Sequence, residues 1–202
     1  PWIIKELNLT PTCYTAFDSY YETADSFEQV YARILETLTM EVSSKGQATY
    51  AVPGHPGVAE TTVIQLVEWA KHEGKTVEII PSMSCLDAVY TALNLDPTTG
   101  LIIGDAFDMP ELIPGTSLLV TQVYNRLVAS EVKLRLMEKL DDEHPVTVIR
   151  GAGIPGEERV ATIPLYQLDT LSWLDHLTSV YVEIQSFPTQ DRKSTRLNSS
   201  HT

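Results

Sequence analysis

Between positions 50 and 60 the chain reads Tyr-Ala-Val-Pro-Gly-His-Pro-Gly-Val-Ala-Glu. A β-rich run, Gln47 to Val52, meets two prolines and two glycines, and a helical pattern starts near Val58. Proline cannot extend a sheet ladder, and glycine admits backbone conformations closed to other residues. The expectation is a strand, a tight bend and a helix, the unit that sets a ligand loop at the carboxyl end of a parallel strand. An ordinary strand-to-helix turn has the same local signature.

What flanks this stretch repeats its logic. Ser26 with Gln29 fits a capping box, and Phe27, Val30, Tyr31, Ile34, Leu35 and Leu38 fall on one helical face. A second helix is predicted over 59–72, with Gly74 at a left-handed C-cap. Lys75 to Ile80 reads as a strand, Pro81 to Ser84 as a turn, and the stretch after Ser84 as a helix with Leu86, Val89, Tyr90 and Leu93 inward. Leu101 to Ile103 and Ser117 to Tyr124 read as strands. Beyond them come a charged helix, 129–140, with Lys133, Arg135 and Lys139 outward, and a strand, 145–150. A glycine-rich loop, 151–156, and a strand, 158–163, follow, then a helix, 165–174, and a last strand, 179–184. Strands alternating with helices of this length argue for an α/β fold with a parallel sheet. A boundary is expected near 124–128, giving subdomains 1–125 and 126–186, the second with a mixed sheet, and a tail over 187–202.

The ends and the charge narrow the function. Residues 191–201 are polar and aperiodic, and resemble a translated sequencing-library adapter. The chain opens on Pro1, so it is expected to be a piece of a longer protein. The net charge of −13 argues against a nucleic-acid partner, since phosphate binding needs basic patches. No stretch approaches the ~20 apolar residues of a membrane span. Cys13 and Cys85 lie far apart without metal-ligand spacing, which fits a reduced, cytoplasmic compartment.

Three loops rich in Pro, Gly and Ser, at 53–57, 81–85 and 151–156, are expected to gather at one sheet edge. Backbone amides dominate them. That suits a ligand with an adenine and a ribose better than a triphosphate. Neither a Gly-x-x-x-x-Gly-Lys loop nor a Gly-x-Gly-x-x-Gly is present. His55 reads as a general base, a ligand-facing group or a hydrogen-bonded turn histidine. Asp105, Asp108 and Glu111 read as a cation site or a solvated loop, the latter favoured because no ligand spacing rule is met, and Glu157 with Glu158 as a metal site or, favoured, a charge pair at a strand start.

These loops together resemble the tetrapyrrole (corrin/porphyrin) methylases, in the version found at the N-terminus of YabN-type MazG proteins. The resemblance rests on Tyr50 to Glu60, Phe27 to Tyr31, Ser84 to Ala88 and Gln122 to Asn125. It implies a class III methyltransferase-like fold with a cofactor cleft between two α/β subdomains. It also implies S-adenosylmethionine as cofactor and a small-molecule methyl acceptor, in a homodimer. By position, Gly54 and His55 stand beside the cofactor, and Ser84 and Cys85 at its methionine end. Tyr124 stands at the crossing between subdomains, and Ala152, Gly153 and Pro155 in the adenine loop. His55 occupies the family's aspartate position, and the family's first strand with its Gly-x-Gly-Pro-Gly loop does not occur in residues 1–202. The resemblance implies a downstream MazG domain in the parent protein. It leaves a second possibility, a non-catalytic ligand-sensing or assembly module for that hydrolase.

Overall fold

A computed structural model describes residues 10, 14–24 and 26–185. The short helix and loop that Ile3-Ile4 and Leu7 to Leu9 suggest, Cys13 and the adapter-like tail lie outside these residues. The chain divides into two compact units, one up to Ser84 and one from Cys85.

The first unit is helical. Helix α1, Asp18–Thr23, precedes α2, Phe27–Lys45. Ser26 caps α2 by accepting from the Gln29 N–H, and Gly46 closes it with φ +82°. Val30, Ile34 and Leu38 are buried along α2, and Phe17, Tyr20, Tyr31, Tyr50 and Leu66 pack against them. Helix α3 is Thr61–His72. At its end Lys75 N–H reaches the Ala70 carbonyl at 2.8 Å around Gly74, φ +63°.

The two strands expected in this unit are corrected. Residues 47–52 and 75–80 carry no strand assignment and pair with no strand among the described residues. A strand exists only through a partner that takes up its N–H and C=O groups. Apolar content marks these segments, but no neighbour is present to complete a ladder. Val77, Ile79 and Ile80 are all exposed.

The second unit holds the sheet. Helix α4 is Cys85–Leu93, and the strands are β1 Leu101–Asp105, β2 Thr116–Thr121, β3 Pro145–Arg150, β4 Arg159–Pro164 and β5 Thr178–Ile184. Their order is β1-β2-β5-β3-β4. Only β1 and β2 run parallel; the other neighbours are antiparallel, so the sheet is mixed. The expected boundary near 124–128 falls between β2 and helix α5, Arg126–Met137, and β2 pairs with β5 across it.

One sheet face carries the main core. Leu118, Val120, Val146, Val148, Val180, Val182 and Ile184 meet Val128, Val132 and Leu136 of α5. Asn125 caps α5 by accepting from Val128 N–H at 2.9 Å. On the opposite face Val89 of α4 packs with Leu119 and Ile149.

Two further expectations change here. The helix expected over 165–174 is a 3₁₀ turn, Leu165–Thr170, with Leu168 fully buried. Lys133, expected outward, is mostly buried and donates to Asp169 of that turn at 2.6 Å. A long stem buries its methylenes while its ammonium finds a carboxylate, which a helical wheel does not show.

Candidate functional site

The expected site residues fall in both units, and each unit is described by itself. In the first unit the prolines and glycines of 53–57 form a turn. Gly54 has φ +82°, and a Cβ there would lie 3.5 Å from the Met83 carbonyl and 3.9 Å from the Ser84 Cα. Gly54 and Ser84, expected in separate loops of one site, are therefore brought together. His55 turns back on its own loop: its Nδ1 accepts from the Gly57 N–H at 2.9 Å. This is the turn-histidine alternative.

The segment after the turn is chemically distinct. Ala59 is a non-glycine residue at φ +57°, a left-handed conformation. Burial pushes the Glu60 carboxyl above its ordinary range. Burial also raises the Tyr50 hydroxyl, opposed by a hydrogen bond to Thr62 and reinforced by Glu60.

In the second unit the sheet directions gather several loops at one edge. Strands β1, β2 and β3 all end where β5 begins, because β5 is antiparallel to both β2 and β3. Val123 N–H donates to the Thr178 carbonyl, and Gly151 N–H to the Leu177 carbonyl, each at 3.1 Å. Tyr124 and Ala152 thus leave the sheet on either side of the start of β5. Gly153 approaches α4, where a Cβ would lie 3.0 Å from Ala88 Cβ. Ala152 packs into the cluster of Val89, Leu119 and Ile149. So Tyr124, Ala152, Gly153 and Pro155 share one edge, and Cys85, the exposed first residue of α4, stands one turn before Ala88.

Among the expected loops, only 151–156 follows a strand of the sheet. The loops at 53–57 and 81–84 follow unpaired segments of the first unit.

The loop 151–157 is rich in glycine. Gly151, Gly153 and Gly156 have φ of +61°, +75° and +78°. Gly153 N–H donates to Glu158 Oε2 at 2.8 Å, so Glu158 braces the turn. The Ala152 N–H and carbonyl enter no hydrogen bond among the described residues. That leaves one backbone donor and one acceptor on Ala152.

Sequence reasoning passed over two neighbours of this edge. Phe107 lies 5.7 Å, centroid to centroid, from Tyr124 and is exposed. Its turn is held by Asp105, whose Oδ1 accepts from Phe107 N–H at 2.9 Å, so this carboxylate serves the turn. Gly104 permits the turn: a Cβ there would collide with the Pro110 ring. The other neighbour is Arg150, at the end of β3. Its Nε donates to Asp175 Oδ2 at 2.7 Å. Burial by itself would push the Asp175 carboxyl up, but the Leu177 N–H and the Arg150 guanidinium outweigh it and hold the group below the ordinary aspartate range. An arginine closing an apolar strand was the one available signal. Its partner, Asp175, is distant in sequence.

Among the described residues, no helix is long and apolar enough to cross a membrane, and no group of three or more His, Cys, Asp or Glu could hold a metal ion.

Comparison with known proteins gives a consistent result. The family described as Tetrapyrrole (Corrin/Porphyrin) Methylases matches residues 4–169. The uncharacterized protein YabN of Bacillus subtilis (strain 168) is 42% identical over 182 residues, covering 89% of this chain and 37% of that protein. The chain thus spans well under half the length of this relative. Uroporphyrin-III-C-methyltransferase from Thermus thermophilus superposes with a TM-score of 0.59 at 20% identity, over 79% of this chain and 72% of that one. Uroporphyrin-III C-methyltransferase from the same organism, complexed with S-adenyl homocysteine, gives a TM-score of 0.52 at 19% identity, over 78% and 73%. The α/β fold with a mixed sheet is therefore that of the class III tetrapyrrole methyltransferase structures. From the match over most of its length, this chain belongs to the tetrapyrrole (corrin/porphyrin) methylase family.

Proposed function

We propose that the chain is an S-adenosylmethionine-dependent methyltransferase domain acting on a small molecule. The observation that carries this reading is the Ala152 backbone pair, presented by a three-glycine loop at the edge where Tyr124 also emerges. A neutral adenosyl group suits such a site, because backbone amides need no counter-charge. Membership in the family and the likeness to a fold that holds S-adenyl homocysteine support the same cofactor.

When bound, the cofactor supplies an electrophilic methyl group on a sulfonium. The chain's part is binding and orientation. Ala152, Gly153 and Pro155 would receive the adenine, and Cys85 and Ser84 the methionine end, with Gly54 and His55 beside it. Methyl transfer breaks one S–CH3 bond and forms one bond to the acceptor, whose proton leaves to solvent. It needs little beyond alignment and exclusion of water. The division into subdomains 1–125 and 126–186, the homodimer and a downstream MazG-type hydrolase in the same polypeptide belong to this proposal. So does a cytoplasmic location.

Calorimetric titration with S-adenosylhomocysteine tests the reading. The expected result is micromolar binding, about −8 kcal/mol. No heat and no thermal shift would overturn it. A second reading, a ligand-sensing or assembly module, is favoured by one observation: His55 is spent on its own turn, and no carboxylate stands in that loop. Under it S-adenosylhomocysteine binds, yet no methyl group is transferred to any acceptor from a cell extract.

A further inference from the structure

The loop that would receive the adenosyl group contains three glycines at positive φ within six residues, Gly151 to Gly156. Glycine leaves the chain more conformations than any other residue, so the shape of such a loop depends on the bonds that close it. Locally, Ile154 N–H donates to the Gly151 carbonyl at 2.9 Å, Glu157 N–H to the Ile154 carbonyl at 3.1 Å, and Gly153 N–H to Glu158 Oε2 at 2.8 Å. These bonds close its turns but do not set how the loop sits against the strand ends.

Both ends of the loop are fastened to one turn, Asp175 to Thr178, just before β5. The first end is tied through backbone: Gly151 N–H donates to the Leu177 carbonyl at 3.1 Å. The far end is tied through one side chain. Arg150 Nη1 donates to the Glu157 carbonyl at 3.1 Å, while its Nε donates to Asp175 Oδ2 at 2.7 Å. The Glu157 carboxylate adds a longer contact, 3.6 Å from Nη2. Asp175 is itself fixed. Its Oδ1 accepts from Leu177 N–H at 2.9 Å, and its N–H donates to the Thr178 hydroxyl at 3.0 Å.

A purely architectural role does not account for this pair. Strands β3 and β5 are already joined by a ladder from Val146↔Val182 to Arg150↔Thr178. The register needs no ion pair, and both Nη1 and Nη2 face Glu157 of the loop, not a strand. The planar fork matters here, because one guanidinium must face a carboxylate and a carbonyl together. A lysine ammonium at that place satisfies one of them.

We propose that Arg150 and Asp175 are a positioning pair that presets the 151–157 loop for the adenosyl ligand, although neither lies in the loop. The inference rests on the proposed cofactor reading. Preorganisation of this kind raises affinity by removing the ordering cost from the binding step.

The test is S-adenosylhomocysteine titration of wild type, Arg150→Lys, Asp175→Asn, the double variant and Glu157→Gln, at a temperature where each is folded by circular dichroism. Hydrogen exchange of the unliganded proteins is measured in parallel. Loss of a charged hydrogen bond predicts about a tenfold or greater weakening for Arg150→Lys and Asp175→Asn. The double variant should be no worse than the weaker single one. Glu157→Gln keeps the carbonyl that Arg150 uses and should bind like wild type. Amides of 152–157 should exchange faster in the two weakened variants, while those of β3 and β5 stay protected. Wild-type affinity in both Arg150→Lys and Asp175→Asn would overturn the positioning role alone. Absence of binding by wild type would overturn the cofactor reading and this inference with it. Failure of both single variants to fold would also overturn it, since the pair would then carry the fold and not the loop.

Discussion

The sharpest test of the second unit is a pair of glycine replacements in one loop. Gly153 and Gly156 share almost the same backbone, φ +75° and +78°. An L-residue in that conformation costs about 1–2 kcal/mol, so Gly156→Ala should lose roughly that, having nothing within 4 Å of its Cβ position. Gly153→Ala carries the same backbone cost and a second one. Its Cβ would stand 3.0 Å from Ala88 Cβ, closer than such carbons normally approach. Overpacking of this size adds about 1–3 kcal/mol. The total is then roughly 2–5 kcal/mol for Gly153→Ala against about 1–2 for Gly156→Ala. Ala88→Gly removes the opposing methyl at a helix cost of about 1 kcal/mol. In the double variant Gly153→Ala/Ala88→Gly the contact term vanishes, so the two changes should be non-additive by about 1 kcal/mol or more. Urea unfolding followed by circular dichroism measures all four. Equal losses for the two glycine variants, with additive behaviour on removing Ala88 Cβ, would refute the packing of α4 against this loop.

Three other outcomes follow from the same structure. Burial pulls Asp169 up, but Lys133 together with the Ser130 hydroxyl and a backbone N–H brings it below the ordinary range, and Asp175 is likewise held below it. Both should therefore stabilise the fold above the unfolded aspartate value and lose that contribution as pH falls through their lowered values; an acid titration of wild type should show this, and Asp169→Asn should flatten it. Glu60 has the opposite sign: its raised carboxyl favours the protonated form, so that contribution is lost as pH rises through the raised value, and Glu60→Gln should gain on wild type with rising pH in thermal melts. Leu136, with no exposed surface, joins α5 to the sheet, and Leu136→Ala should lose about 2–5 kcal/mol in urea unfolding.

Short-range chemistry was legible from the residues alone. The Ser26 cap and the Gly46 and Gly74 stops are local events, decided within a few residues, and they stand where the pattern places them. The strand at 145–150 and the helix that precedes it were legible for the same reason, since a run of β-branched residues and a helical period are local signals. The loop at 151–156 was readable as a turn because glycine at such density marks positive φ, and Gly151, Gly153 and Gly156 all adopt it.

Tertiary structure decided whatever needs a partner distant in sequence. Residues 47–52 and 75–80 have strand-like composition, yet pairing is a property of two segments, and neither finds a mate among the described residues. Lys133 carries a charge that a wheel sends to solvent, and Asp169, from a different element, draws it inward. His55 had three roles open to it until the Gly57 amide took its Nδ1. Arg150 closes an apolar strand, and only the fold brings it to Asp175 and to the Glu157 carbonyl. Period and turn chemistry act through neighbours along the chain. Ion pairs, ladders and the gathering of strand ends at one edge act through space, and their partners are chosen by the packing of the whole unit.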